Sequence, residues 1–125
     1  MITAGRLAAV RAAAAPADPT IVRWEERPAS HRVENMTTNS LVHHRVALDD
    51  GSTLDLFAKT LHPASCSPGW AEIPEFARAQ VLQDLHWLDE PRLYRCGLAA
   101  DLPGGLRFPR LFHVEEGTDR LTLWL

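Results

Sequence analysis

Ser52-Thr53-Leu54-Asp55-Leu56-Phe57-Ala58-Lys59-Thr60-Leu61 follows an Asp49-Asp50-Gly51 turn. Threonine, leucine and phenylalanine dominate the run, which suits a pleated, half-buried strand. Lys59 within it is the only lysine; every other basic residue of the chain is an arginine. Two readings of Lys59 are open. Its stem lies on the sheet and its ammonium reaches water at a strand edge, or it makes a specific contact with an anion. Upstream, Leu41-Val42-His43-His44-Arg45-Val46-Ala47-Leu48 is a second strand. Two strands joined by a short Asp-Gly turn predict an antiparallel hairpin.

The rest of the chain arranges itself around that hairpin. Thr3 suits an N-cap, and residues 4–15 are strong helix formers with Leu7, Val10 and Ala14 on one face. Pro16 and Pro19 end the helix, so 1–16 is an N-terminal helical segment. Its apolar stripe is thin, which predicts packing onto the edge of something larger. Thr20–Arg27 is β-prone, with its register open because Ile21 and Val22 are adjacent, and Pro28 interrupts it. Ser30–Asn39 is a polar loop. Three strands thus occupy 20–61, and 62–73 is a loop containing Pro63, Pro68 and Gly69. Residues 74–88 predict a helix through Phe76, Val81, Leu82, Leu85 and Leu88. Asp89 as N-cap and Pro91 restart a second helix that stops at Gly97, completing a helix pair over 74–97. Pro103-Gly104-Gly105 turns the chain into a strand over 106–116, with Leu111, His113 and Glu115 on one face. Gly117-Thr118-Asp119 leads to a last strand over 120–125. The expected fold is α+β: one domain with a five-stranded antiparallel sheet, an inserted helical segment and an N-terminal helix.

Composition narrows the partners. Apolar residues make up 46% and charged residues 23% of 125, as in an ordinary globular domain. The net charge of -3 and the scattering of arginines among acids give no electrostatic footprint for nucleic acid. No run approaches the roughly 18 apolar residues of a membrane span. Arg6 and Arg11 interrupt the only alanine-rich stretch, which therefore does not read as a signal peptide. The expected location is cytoplasmic, with Cys66 and Cys96 as reduced thiols rather than a disulfide. His31, His43, His44, His62, His86 and His113 show no ligand spacing, and neighbours on a strand point to opposite faces, so no metal site is expected. Trp24, Trp70, Trp87 and Trp124 read as core or interface anchors.

The order of elements carries a resemblance. Leu56-Phe57-Ala58-Lys59-Thr60-Leu61 looks like the third-strand lysine motif of kinase-type small lobes. Glu90-Pro91-Arg92-Leu93-Tyr94-Arg95 is similar to the Glu-x-x-x-Tyr pattern on their key helix. Leu106-Arg107-Phe108-Pro109-Arg110-Leu111 and Leu121-Thr122-Leu123-Trp124-Leu125 resemble the two strands that lead to their hinge. The chain resembles the amino-terminal lobe of the aminoglycoside phosphotransferase-like and ecdysteroid kinase-like families, small-molecule kinases of the protein-kinase fold.

That resemblance implies an ATP-dependent phosphotransferase, with Lys59 contacting nucleotide phosphate and Glu90 positioning Lys59. An opposite charge nearby keeps the lysine charged, and cations near the phosphates are what phosphoryl transfer requires. The loop before the second strand would approach the phosphates through Thr37, Thr38 and Ser40, although it lacks the glycines of the usual phosphate-cradling turn. Phe57 stands where protein kinases prefer a small residue beneath adenine, and whether it narrows the pocket or stacks on the base is open. No His-x-Asp or Asp-x-Asp motif occurs in the sequence. The resemblance places the catalytic aspartate and the Mg2+ ligands in a larger lobe beyond Leu125. The chain is thus expected to be a small lobe cut before its catalytic partner, not competent alone, with that lobe or a partner chain covering the 121–125 strand. The alternative is a non-catalytic α+β interaction or scaffold domain with Lys59 exposed.

Overall fold

The computed structural model describes residues 2–29 and 35–125. Helix α1 (Ala4–Ala14) precedes strands β1 (Ile21–Pro28), β2 (Thr38–Leu48) and β3 (Thr53–Leu61). Two short 3-10 turns lead to helices α2 (Glu75–Asp84) and α3 (Asp89–Arg95), and β4 (His113–Gly117) and β5 (Arg120–Trp124) follow. The five strands form one antiparallel sheet in the order β1-β2-β3-β5-β4. The fold is α+β, and β3 is its central strand.

The hairpin forms as its turn residues dictate. Gly51 has φ +83°, where a side chain would be strained, and Asp50 Oδ1 accepts from the Ser52 N–H at 2.8 Å. This turn fixes the register that sets Leu41 opposite Lys59 and His43 opposite Phe57. In β1 the adjacent apolar pair is resolved by a register shift between Ile21 and Arg23. Ile21 packs on the core and Val22 faces solvent. Pro28 does not interrupt β1 but ends it, tolerated because β1 is an outer strand.

Three boundaries differ from expectation. β2 starts at Thr38, inside the stretch expected to be loop, with a second register shift between Thr38 and Ser40. The earlier part of that loop, 30–34, and His31 with it, lies outside the described residues. α2 ends at Asp84 rather than Leu88, and its stripe is not buried: Phe76 is 90% exposed, and Leu82 and Leu85 are exposed. The chain leaves the helix at Leu85, and Trp87 and Leu88 turn onto the sheet instead. β4 begins at His113 rather than Leu106, since Pro109 has no N–H to give a ladder.

Each face of the sheet has its own core. On one, α1 lies across the face rather than at its edge, burying Ala9 and Val10 against Val46, Leu56, Ala58 and Trp124. Thr3 caps α1 as expected, its Oγ1 accepting from the Arg6 N–H at 3.3 Å. On the other face, Leu61, Leu121 and Leu123 pack with Trp87, Leu88 and Tyr94. Full burial of such side chains is worth about 2 kcal/mol each, so these clusters dominate the stability of so small a domain.

Two polar details hold α1 in place. Glu115 accepts from the buried Trp124 indole N–H at 2.7 Å, and its carboxylate lies against Gly5, where a Cβ would collide with it. His44, 2% exposed, accepts from the Trp24 indole N–H at 3.1 Å through Nδ1. Burial lowers its pKa below the ordinary 6.5; Glu26 opposes this, while Arg6 and His43 reinforce it.

Gly5→Ala is therefore expected to lower stability by about 1 kcal/mol, although alanine is the better helix former, because the displaced carboxylate leaves the Trp124 N–H unpaired. A raised melting temperature in this variant would contradict the contact. His44 also predicts acid sensitivity. The unfolded chain takes up a proton that folded His44 refuses, so its contribution is complete above about pH 6.5 and is lost as the pH falls below that. Urea midpoints at pH 7.5 and 5.5 are expected to differ more in the native protein than in His44→Gln.

Candidate functional site

Lys59 is on the central strand, so it is not an edge lysine. Across the sheet its row reads Leu41, Lys59, Leu123, Val114. An aliphatic stem fits this row, but the ammonium needs a partner or water. The insertion between β3 and β4 supplies the partner. Lys59 Nζ donates to Glu90 Oε2 at 2.7 Å, with the two side chains 24% and 32% exposed.

Glu90 is fixed from below. It lies in the first turn of α3, where the helix dipole favours a carboxylate. Its neighbours hold that helix to the sheet: Leu88 precedes it, Pro91 is buried after it, and Tyr94 packs on the Leu61–Leu121–Leu123 cluster. Tyr94 lies one turn beyond Glu90. Its phenol pKa is raised, by burial first and by the Glu90 charge second, so it stays a neutral hydroxyl. Glu90, Leu93, Tyr94 and Phe108 line a depression of about 340 Å3 beside the ion pair.

Phe57 shares the Lys59 face, two residues away. It is 44% exposed and stacks on His43, with ring centroids 4.9 Å apart and planes inclined by 22°. His43 Nε2 is 2.8 Å from Asp55 Oδ1, which holds the imidazole in this plane. Beyond the residues packed under α3, this face is open: Arg23, Glu25 and Arg45 border it as exposed or half-buried charges.

The hydroxyl residues are placed differently. Thr37 is buried, and both its N–H and its hydroxyl donate to Asn35 Oδ1, at 2.9 and 2.8 Å. Thr38 is buried opposite Leu61. Ser40 pairs with Thr60, whose hydroxyl is 2.9 Å from that of Thr122. That row lies on the α1 face, opposite to Lys59. The structure thus gathers Lys59, Glu90 and Phe57, sets Ser40 on the opposite face, and keeps Thr37 and Thr38 buried.

His43 is a neighbour of this site that metal-ligand spacing alone does not reveal. The signal was present in the hairpin register, which sets His43 against Phe57. Among the described residues no group of three histidine, cysteine or acidic side chains converges as metal ligands, and no helix is long and apolar enough to cross a membrane. Comparison with protein families, with curated proteins and with solved structures gave no match.

The ion pair is partly exposed, so its contribution to stability is expected to be modest. Lys59→Met and Glu90→Gln should each cost about 1 kcal/mol, with a coupling of about 0.5 kcal/mol in a double-mutant cycle. Denaturant titration of the four proteins measures it, and a coupling of zero would mean that the pair is not formed in solution.

Proposed function

We propose that this chain is the nucleotide-binding small lobe of an ATP-dependent small-molecule phosphotransferase that works in the cytoplasm. The observation that carries the reading is the bond of 2.7 Å from Lys59 Nζ to Glu90 Oε2, joining the central strand to the inserted helix. An ion pair at that position fixes where the ammonium points, beside an open face. Lysine is a compact cation suited to phosphate oxygens, and a positioned cation is what the transferring phosphoryl group requires. In this reading Lys59 neutralises phosphate charge, Glu90 positions Lys59, and Phe57 with His43 borders the base. Ser40 lies on the opposite face, and Thr37 and Thr38 are buried, so the reading rests on Lys59, Glu90 and Phe57.

ATP would bring Mg2+ with it, which would supply further positive charge near the phosphates. The described residues offer no converging ligand set for that ion. The proton acceptor and the metal ligands belong, in this proposal, to a second lobe or a partner chain. A non-catalytic interaction domain is the second reading, favoured by the exposed Phe76 and Leu82 on α2 and Leu85 just after it.

Nucleotide titration separates them. With 15N-labelled protein, millimolar ATP should shift the amides of Leu41–His43, Phe57–Leu61 and Glu90, with an affinity near the millimolar range, about 4 kcal/mol. Lys59→Met should weaken it about fivefold, about 1 kcal/mol. Shifts absent from these segments, or confined to the α1 face, would sink the nucleotide reading.

A further inference from the structure

Helix α1 closes its face of the sheet only as far as its own first turn. Beyond that turn one row of the sheet is polar: Ser40, Thr60, Thr122 and Glu115 stand opposite one another across β2, β3, β5 and β4. In the next row Ala58 and Trp124 already belong to the core beneath the helix. Between the polar row and the start of α1, marked by Thr3 and Arg6, lies a cavity of about 260 Å3.

His44 supplies a donor at the floor of that cavity. The residue is only 2% exposed, yet it lines the opening. Its Nδ1 accepts from the Trp24 indole, so the proton of the neutral ring is on Nε2. Nε2 has no hydrogen-bond partner among the described residues. Every fully enclosed side-chain nitrogen or oxygen among those residues does have one, so the His44 Nε2–H is reached from outside the core, and the opening that His44 lines is this cavity. Glu115 supplies the complementary acceptor. Its Oε1 is taken by the Trp124 indole N–H, and its Oε2 makes no hydrogen bond among the described residues. Between them, the Thr60 and Thr122 hydroxyls lie 2.9 Å apart, so one of the two keeps a proton to give.

This lining selects against charge. Arg6 and Glu26 pair with each other at the rim. An ammonium drawn to Glu115 would meet the His44 N–H and Arg6. A carboxylate or phosphate drawn to His44 would meet Glu115 and Glu26. A hydroxyl both donates and accepts, so a ligand bearing several of them satisfies the donor, the acceptor and the threonine pair together.

We propose that this cavity is a binding site for a small neutral polyol, no larger than a monosaccharide, held by His44 Nε2–H, the Thr60–Thr122 hydroxyls, Ser40 and Glu115 Oε2. The site is on the face opposite to Lys59 and does not rest on the nucleotide reading.

Titration of the 15N-labelled chain with glycerol, myo-inositol and D-glucose tests this, with D-glucosamine and gluconate as the charged counterparts. At least one neutral polyol should shift the amides of Ser40, Thr60 and Thr122 and the His44 ring nitrogens, with an affinity near the millimolar range. Glucosamine and gluconate should bind more weakly than glucose. Thr60→Val keeps the shape of the side chain without its hydroxyl and should weaken binding about fivefold. Ser40→Ala should weaken it as well, and its result stands even if Thr60→Val unfolds. No shift at these residues with any of the three polyols would overturn the proposal. So would tighter binding of either charged sugar, or unchanged polyol affinity in Ser40→Ala.

Discussion

A lysine on the middle strand of a sheet, in one row with Leu41, Leu123 and Val114, has to find a carboxylate or keep its way to water open. The 2.7 Å bond to Glu90 provides the first solution. Much of the chain between β3 and β4 serves that bond. Trp87 and Leu88 turn inward after α2, Pro91 is buried, and Tyr94 packs on the same cluster, so Glu90 stands on a helix that is held at both ends. β5 adds the other half of the platform by inserting beside β3, which brings Leu121 and Leu123 beneath that helix. Folding is driven by these apolar contacts; the ion pair contributes little to stability and fixes where one positive charge points.

The two faces of the sheet have different tasks. The α1 face is closed by Ala9, Val10 and Trp124, and its polar groups are turned to docking the helix: Glu115 lies against Gly5, and Arg6 pairs with Glu26. The Lys59 face is covered only where α3 lies. Next to that cover the stacked His43 and Phe57 rings remain accessible, and Arg23 and Arg45 stand in the open. An antiparallel sheet commonly packs one face and solvates the other; here the half-open face also carries a lysine held by a carboxylate. In the proposed nucleotide reading the site lies on the Lys59 face, and Ser40, on the α1 face, is outside it.

Local signals made much of this legible. Asp49-Asp50-Gly51 set the hairpin and hence the neighbours of Lys59, and Thr3 and Gly97 marked helix ends where they are found. The spacing from Lys59 to Glu90 left room for a helix to bring them face to face, as it does. The strand order was not legible: placing β5 rather than β4 beside β3 depends on long-range pairing that no local pattern encodes. Nor was the fate of the apolar positions on α2. Phe76, Leu82 and Leu85 have helical spacing, yet the chain turns away before they meet the sheet. Thr37 and Ser40 looked alike as hydroxyl donors; one is engaged by Asn35 and the other faces α1, which only the register reveals.

The single lysine makes the central claim unusually direct to test. An acyl-phosphate derivative of ATP transfers its acyl group to an amine held beside the phosphates. With this protein the products are few: Lys59, and the amino terminus as background. If Lys59 is the phosphate contact, peptide mass spectrometry finds it acylated, and excess ATP suppresses that labelling while the amino terminus is unaffected. Lys59 left unmodified, or modified to the same extent with and without competing ATP, would contradict the assignment.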